Sequence, residues 1–350
     1  MSQPIAIEPG DKFLVLIASP LEPEFVARIR QLDPRVEVLY EPSLLPMPRY
    51  VADHTGDPAW KRTAEQEAQF LAMLSRAHVL FDFDRAHIRD LRTVAPRLQW
   101  VQSTSAGIGQ MVKRNGLAQA GIVFTTASGV HARPLADFCL MAMLMFAKNY
   151  QWMERDKRAR RWERYCGEEL TGKTMAVVGL GRVGQAVAQH GKQMHMRVVG
   201  MKRTPGPVPF VDTVFSRADL PALLREADFL VLTAPHTPET EGIIGATELA
   251  LLKPTAVLIN IARGALVDEP ALIRNLQNGR LAGAALDVFQ REPPLPDSPL
   301  WEMPNVIISP HSASTVQQEN ERITDIFCDN LARFLRHQPL RNVLDTEKLY

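Results

Sequence analysis

The sequence predicts an α/β chain of two doubly wound, parallel-sheet units. Three observations point there. Apolar runs of strand length alternate with stretches of helical period along most of the chain. The alternation stops and begins afresh near residue 174. At that restart "VVGLGRVG" (177–184) places Gly179, Gly181 and Gly184 directly after an apolar run and directly before a helical pattern.

In the first series, "FLVLIAS" (13–19), "VEVLY" (36–40), "HVLFDF" (78–83), "LQWVQS" (98–103) and "IVFTT" (122–126) read as buried strands. "EPEFVARIRQL" and "TAEQEAQFLAMLSRA" between them carry amphipathic helical spacing. Strands alternating with helices imply parallel pairing through crossovers. The second series holds "TMAVVGL" (174–180), "RVVGM" (197–201), "FLVLTA" (229–234), "AVLIN" (256–260), "GAALDVF" (283–289) and "NVIIS" (305–309). Two such units are expected to enclose a ligand cleft. The final helix, "QQENERITDIFCDNLARFLRH", follows the last strand of the second series, and its period leaves open whether it stays there or crosses back.

Two segments break the pattern. "EPSLLPMPRYVADHTGDPAW" (41–60) is proline-rich and aperiodic, hence a long loop. "ERDKRARRWER" (154–164) is a dense charge run, either a solvated helix face or an arm against a second subunit. "FDFD" (81–84) ends a strand, and its aromatics either face the cleft or fill the core.

Composition narrows the class. A chain of 350 residues corresponds to roughly two domains. With 46% apolar and 23% charged residues it has the make-up of a soluble globular protein. A formal charge of +1 argues against nucleic acid or an anionic membrane as partner. Cys139, Cys166 and Cys328 are scattered, without metal-ligand spacing or a disulfide framework. No metal is expected, and a reducing cytoplasm fits best. The opening "MSQPIAIEPGDKF" lacks a signal-peptide pattern. "LADFCLMAMLMFA" (135–147) is too short to span a bilayer and reads as a buried helix.

The glycine spacing gains meaning from its setting between strand and helix. Gly179 permits a tight turn, Gly181 lets a pyrophosphate approach the backbone, and Gly184 lets helix and strand pack closely. The helix start then offers amides to the phosphates. An acid at the end of the next strand would accept from the ribose 2′-hydroxyl of NAD. Here "KRT" delivers Lys202, Arg203 and Thr204, which suit a 2′-phosphate, so the cofactor expected is NADP(H) over NAD(H). Downstream, Arg263, Glu292 and His311 each fall at or beyond the end of a strand in the second series, the edge where open sheets bind ligands. Reducing a ketone needs a proton as well as a hydride. His311 has the titration range of a donor, Glu292 can orient it, and Arg263 can grip a carboxylate.

Taken in order, "VVGLGRVG", "NIARGALVDE", "ALDVFQREPP" and "PHSAS" resemble the D-isomer-specific 2-hydroxyacid dehydrogenase family, and the likeness covers nearly the whole chain. It implies a Rossmann dinucleotide-binding domain (129–314) inserted in a flavodoxin-like substrate domain (1–128 and 315–350), with the last helix crossing back. It puts Arg263, Glu292 and His311 in the family's Arg–Glu–His positions. It makes "STSAGIG" (103–109) the substrate loop, with Ser105, Ala106 and Gly107 in contact with the acid. It adds cofactor contacts at Arg182, Val183, Ala234, Pro235, Thr240, Ile261, Ala262, Asp287 and Ser314, beside the glycines, Arg263 and His311. It implies a homodimer through residues 130–170. The chain departs from the family in carrying Ile108-Gly109 where many members have an acid, and in the length of the 41–60 loop. That loop either lines the substrate pocket through Arg49 or Tyr50 or decorates the surface. The activity implied is NAD(P)-dependent reduction of a small 2-oxo acid of the glyoxylate or hydroxypyruvate class, with His311 as proton donor. Alternatives are another acid or phosphite on the same scaffold, or a dinucleotide-sensing regulator.

Overall fold

The computed structural model describes residues 12–349. The chain divides into two compact units, one of residues up to Val130 together with those from Thr315 onward, the other of His131–Ser314.

The first unit is a five-stranded parallel sheet of β1 (Phe13–Ile17), β2 (Val36–Leu39), β3 (Val79–Phe81), β4 (Trp100–Gln102) and β5 (Val123–Thr125). Its order is β2-β1-β3-β4-β5, so direction along the sheet reverses between β1 and β3. Alternate residues face opposite ways. Leu16, Leu80, Val101 and Phe124 face Phe70 and Leu74 of the helix Ala64–Leu74. Thr63 starts that helix with a capping box: its hydroxyl accepts from Gln66 N, and the Gln66 side chain accepts from Thr63 N. Val15, Ile17, Val79, Phe81 and Trp100 face Ile323, Phe327 and Leu331. Those three lie on the last helix, Glu319–Leu335, which therefore crosses back. Phe327 stacks on Trp100 at 5.2 Å and meets Phe81 edge-on at 5.1 Å. The aromatics of "FDFD" are core residues: Phe81 is fully buried, and Phe83 stacks on Phe124 at 5.9 Å.

The long loop contains one short 3-10 turn, Pro42–Leu44, and is organised by the buried Asp53. That carboxylate accepts from Arg49 Nε (2.7 Å) and from the amides of Arg49, Thr55 and Gly56 (3.0 Å each). Burial pushes its pKa up, but these donors outweigh it and hold it far below the usual range.

The second unit is a seven-stranded parallel sheet of β6 (Thr174–Val178), β7 (Arg197–Met201), β8 (Thr213–Phe215), β9 (Phe229–Leu232), β10 (Val257–Asn260), β11 (Gly283–Leu286) and β12 (Val306–Ile308). Its order, β12-β11-β10-β9-β6-β7-β8, reverses between β6 and β9. β8 is an addition to the sequence reading. At three residues, exposed or half-buried at the sheet edge, it leaves no apolar run to detect. One side of the helix Ala132–Ala147 packs with Val187 and Ala188 of the helix Arg182–Gln193 against this sheet, while Met141 and Leu144 are exposed, so the helix expected to be buried is so on one side only. The charge run is only partly helical: the helix Tyr150–Arg158 has no buried residue, and Trp162 beyond it is 98% exposed. Among the described residues no helix is long and apolar enough to cross a membrane.

Candidate active site

The glycine loop follows β6, at the point where strand order reverses. Gly179 has φ +105, and a Cβ there would lie 2.6 Å from Ala234 N, so only glycine lets the loops after β6 and β9 touch. A Cβ on Gly184 would fall 2.0 Å from the Gly179 carbonyl oxygen. In front of Gly181, by contrast, a Cβ would meet nothing within 4 Å. Gly181 is also the N-cap of the helix Arg182–Gln193, so no side chain caps the first-turn amides. Open space before a helix start fits a pyrophosphate. Thr233, absent from the sequence reading, ties this loop down: its hydroxyl donates to the Gly179 carbonyl. That role rests on tertiary proximity and leaves no local motif.

Lys202 directly follows β7. It is half-buried, while Arg203 and Thr204 are exposed. Gly179 N donates to Met201 O at 3.0 Å, which holds the end of β7 beside the glycine loop. Ala234 is buried and Pro235 exposed. The Thr240 hydroxyl closes the 235–240 turn, accepting from Thr237 N (2.8 Å) and donating to Pro235 O (2.7 Å). Arg182 is exposed at the helix start, Val183 is half-buried, and so is Ser314.

The loops after β10, β11 and β12 bring the charged residues together. Ile261 and Ala262 are buried immediately after β10. Asn260 fastens that loop: its side chain accepts from Ala262 N (3.1 Å) and donates to Arg263 O (3.0 Å). A Cβ on Gly264 would sit 1.9 Å from the Phe289 carbonyl carbon, so the Arg263 loop packs tightly on the loop after β11. Asp287 organises the loop after β12. Its Oδ1 accepts from Ser309 Oγ (2.6 Å) and from the amides of Ser312 and Ala313 (2.9 Å each), and its carbonyl accepts from His311 N (3.0 Å). His311 is thereby held at φ +54, an uncommon conformation for a non-glycine residue.

His311 Nδ1 lies 2.7 Å from Glu292 Oε2, and Glu292 Oε1 accepts from Phe289 N at 3.1 Å. The Glu292 hydrogen bond raises the His311 pKa, against burial and the nearby Arg263 guanidinium. For Glu292, burial raises the pKa, but His311, the Phe289 amide and Arg263 outweigh it, and the net shift is downward. Burial lowers the Arg263 pKa, opposed by Glu292 and Asp287. Its Nη1 donates to Ala262 O at 2.6 Å. In the first unit, Ser105, Ala106 and Gly107 are exposed on the turn after β4. Ser105 N donates to Ser103 Oγ (3.0 Å), and Ala127 N donates to Ser105 O (3.1 Å).

A glycine loop at the switch point of a parallel sheet defines a dinucleotide-binding protein, and the loops after β10, β11 and β12 of the same unit carry a paired imidazole and carboxylate within electrostatic reach of a guanidinium. The family model for the D-isomer specific 2-hydroxyacid dehydrogenase NAD binding domain matches residues 140–313. A glyoxylate reductase of Thermococcus gammatolerans is 36% identical over 249 residues, which is 69% of this chain and 74% of that protein. One from Aeropyrum pernix is 34% identical over 267 residues, 74% of this chain and 79% of the relative. The chain belongs to the D-isomer specific 2-hydroxyacid dehydrogenase family. Among solved structures, the NADPH-dependent glyoxylate/hydroxypyruvate reductase of Sinorhizobium meliloti in complex with NADP and sulfate superposes with a TM-score of 0.77. Identity is 28%, over 97% of this chain and 100% of that one. The family's two parallel-sheet α/β domains are the fold expected from the sequence.

Proposed function

We propose that this protein reduces a small 2-oxo acid of the glyoxylate or hydroxypyruvate class, preferring NADP(H), with His311 as the proton donor. The observation that carries the reading is the 2.7 Å contact of His311 Nδ1 with Glu292 Oε2, within electrostatic reach of Arg263. When bound, the nicotinamide cofactor supplies the hydride. The chain's own residues do the rest. Glu292 fixes the imidazole's orientation, so that Nε2 is the nitrogen left for the substrate oxygen. Protonated His311 gives its proton to the forming alkoxide. Arg263 holds the substrate carboxylate, and its positive charge counters the negative charge that grows on the carbonyl oxygen. The exposed turn at Ser105, Ala106 and Gly107 is assigned to substrate binding on the family likeness. Gly179, Gly181 and Gly184 make room for the pyrophosphate, and Lys202 with Arg203 suits a 2′-phosphate. The NADP bound to the Sinorhizobium meliloti enzyme supports the cofactor reading, and the glyoxylate reductases support the substrate class.

The test is a steady-state assay of the purified protein with a panel of 2-oxo acids, using NADPH and NADH in turn. Turnover of glyoxylate or hydroxypyruvate, faster with NADPH, is expected. Absence of turnover with every 2-oxo acid would refute the reading, and phosphite-dependent reduction of NADP would replace it.

A further inference from the structure

β8, the edge strand of the second unit, ends beside the residues assigned to the cofactor's ribose, and it delivers one more cation there. Met201 at the end of β7 stands opposite Phe215 at the end of β8, and Lys202 N donates to Phe215 O at 3.3 Å. Gly179 N in turn donates to Met201 O at 3.0 Å. The glycine loop and the ends of β7 and β8 are thus bonded one to the next along a single edge of the sheet. Arg217 follows β8 by two residues and is exposed. Adjacent strands lie about 4.8 Å apart, so Arg217 leaves the sheet edge one strand beyond Lys202. The turn that carries it is pinned, since Asp219 Oδ2 accepts from Ser216 Oγ at 2.5 Å and from Ser216 N at 3.3 Å.

An acid faces this edge from the other side of β6. Glu239 is exposed on the turn after β9. The Thr237 hydroxyl and the residue's own amide hold its carboxyl below the usual range, and the Arg203 and Arg217 guanidiniums add to that. One carboxylate is therefore within electrostatic reach of two guanidiniums across the end of β6, where the glycine loop begins. The neighbouring Glu241 lies 3.6 Å from His236 Nε2. Lys202, Arg203 and Arg217 bring three positive charges and Glu239 one negative. The surplus of two matches a phosphate monoester, which carries about −1.5 to −2 at neutral pH.

We propose that Arg217 is a third cation of the site for the 2′-phosphate of NADP(H), and that Glu239 is the carboxylate this phosphate displaces from the guanidiniums. The inference rests on the NADP(H) reading above and adds to it two residues that no glycine spacing or strand-end motif marks. Arg217 supplies a fork that suits a phosphate. Glu239 shields the cations in the absence of cofactor and opposes the phosphate when it enters, so it sets how strong the preference is. The ribose of NAD(H) brings no charge to this edge and is indifferent to both residues.

The experiment is calorimetric titration of the purified protein with 2′,5′-ADP and with 5′-AMP, the adenosine ends of NADP and NAD, at low ionic strength and without turnover. The unmodified protein should bind 2′,5′-ADP more tightly by about 10–100-fold. Arg217→Ala should lower that ratio by about 3–10-fold and leave the 5′-AMP affinity unchanged, and Arg217→Lys should recover part of the loss. Glu239→Gln should raise the ratio by about 2–5-fold, and the gain should shrink when Arg217→Ala is added, because the two side chains then no longer oppose each other. Both residues are exposed, so an unchanged Tm is expected in each variant. A high ratio that Arg217→Ala leaves intact, or an equal weakening of both nucleotides, overturns the proposal while the NADP(H) reading stands. A fall in the ratio on Glu239→Gln overturns it too. Equal binding of the two nucleotides by the unmodified protein removes the NADP(H) preference itself, and the proposal with it.

Discussion

Lys202→Asp should abolish a preference for NADPH over NADH. Lys202 is the first residue after β7, and the 3.0 Å bond from Gly179 N to Met201 O keeps that strand end beside the phosphate loop. A hydrogen bond to a charged group contributes about 1.5–3 kcal/mol, and about 1.4 kcal/mol is a tenfold change. Two buried contacts to a 2′-phosphate would therefore exceed about 100-fold. Lys202 is only half-buried and Arg203 is exposed, so solvent and salt remove part of that. The preference in kcat/KM for the unmodified protein should be about 10–100-fold. Aspartate at position 202 repels the phosphate and accepts from the 2′-hydroxyl, so the ratio should fall to one or below. Arg203→Ala should remove a smaller part. The assay is a pair of titrations, NADPH and NADH, at fixed 2-oxo acid and at low and high ionic strength. Equal efficiencies in the unmodified protein, or a preference that salt does not diminish, would refute the reasoning.

His311→Ala should cut turnover by about 10²–10⁴-fold while NADPH binding, read by fluorescence titration, persists; near-normal turnover would remove His311 from proton transfer. Glu292 raises the His311 pKa, so the protonated donor survives to higher pH and reduction should decline only as pH rises past that raised value; Glu292→Gln should move the decline to lower pH, and an unchanged pH–rate profile would uncouple the pair. Arg263→Lys keeps the charge but loses the two-pronged geometry, so kcat/KM should remain badly impaired, and free substitution by lysine would exclude a bidentate grip. Gly264→Ala forces a Cβ into the Phe289 backbone, and the resulting displacement of the Arg263 loop should appear as lost activity and a lowered Tm; an unchanged protein on both counts would refute the close packing of the two loops.

Much of the architecture was legible because β1, β6, β9 and β10 are almost wholly apolar, as strands covered on both faces must be. The edge strand β8 was not, since an exposed three-residue segment carries no period. The glycine loop could be read from spacing because each glycine answers a local steric demand. Thr233 could not, because its partner lies on a loop that meets it only in the fold; Asn260 bonds residues two and three positions on, a local signal that the sequence reading passed over. Asp287 was expected among the cofactor contacts. Its visible work is to hold the His311 loop, and that depends on Ser309, Ser312 and Ala313, residues more than twenty positions away. The 41–60 loop was recognisable as a loop, but the proline-rich composition gave no sign that Asp53 would order it or that residues from His54 to Arg62 would line a cavity.

The return of the last helix sets an order of events during synthesis. The face of the first sheet formed by Val15, Ile17, Phe81 and Trp100 is completed by Ile323, Phe327 and Leu331. Roughly 190 residues lie between β5 and that helix, and a ribosome moving at about 5–20 residues per second needs about 10–40 s to make them. The inserted unit can close in that interval, whereas the unit begun first must wait. Through those seconds its nascent chain carries an uncovered tryptophan and phenylalanine, a surface suited to chaperone capture. Synthesis of Glu319–Leu335, and not emergence of the amino-terminal strands, is then the event that lets the first sheet be covered.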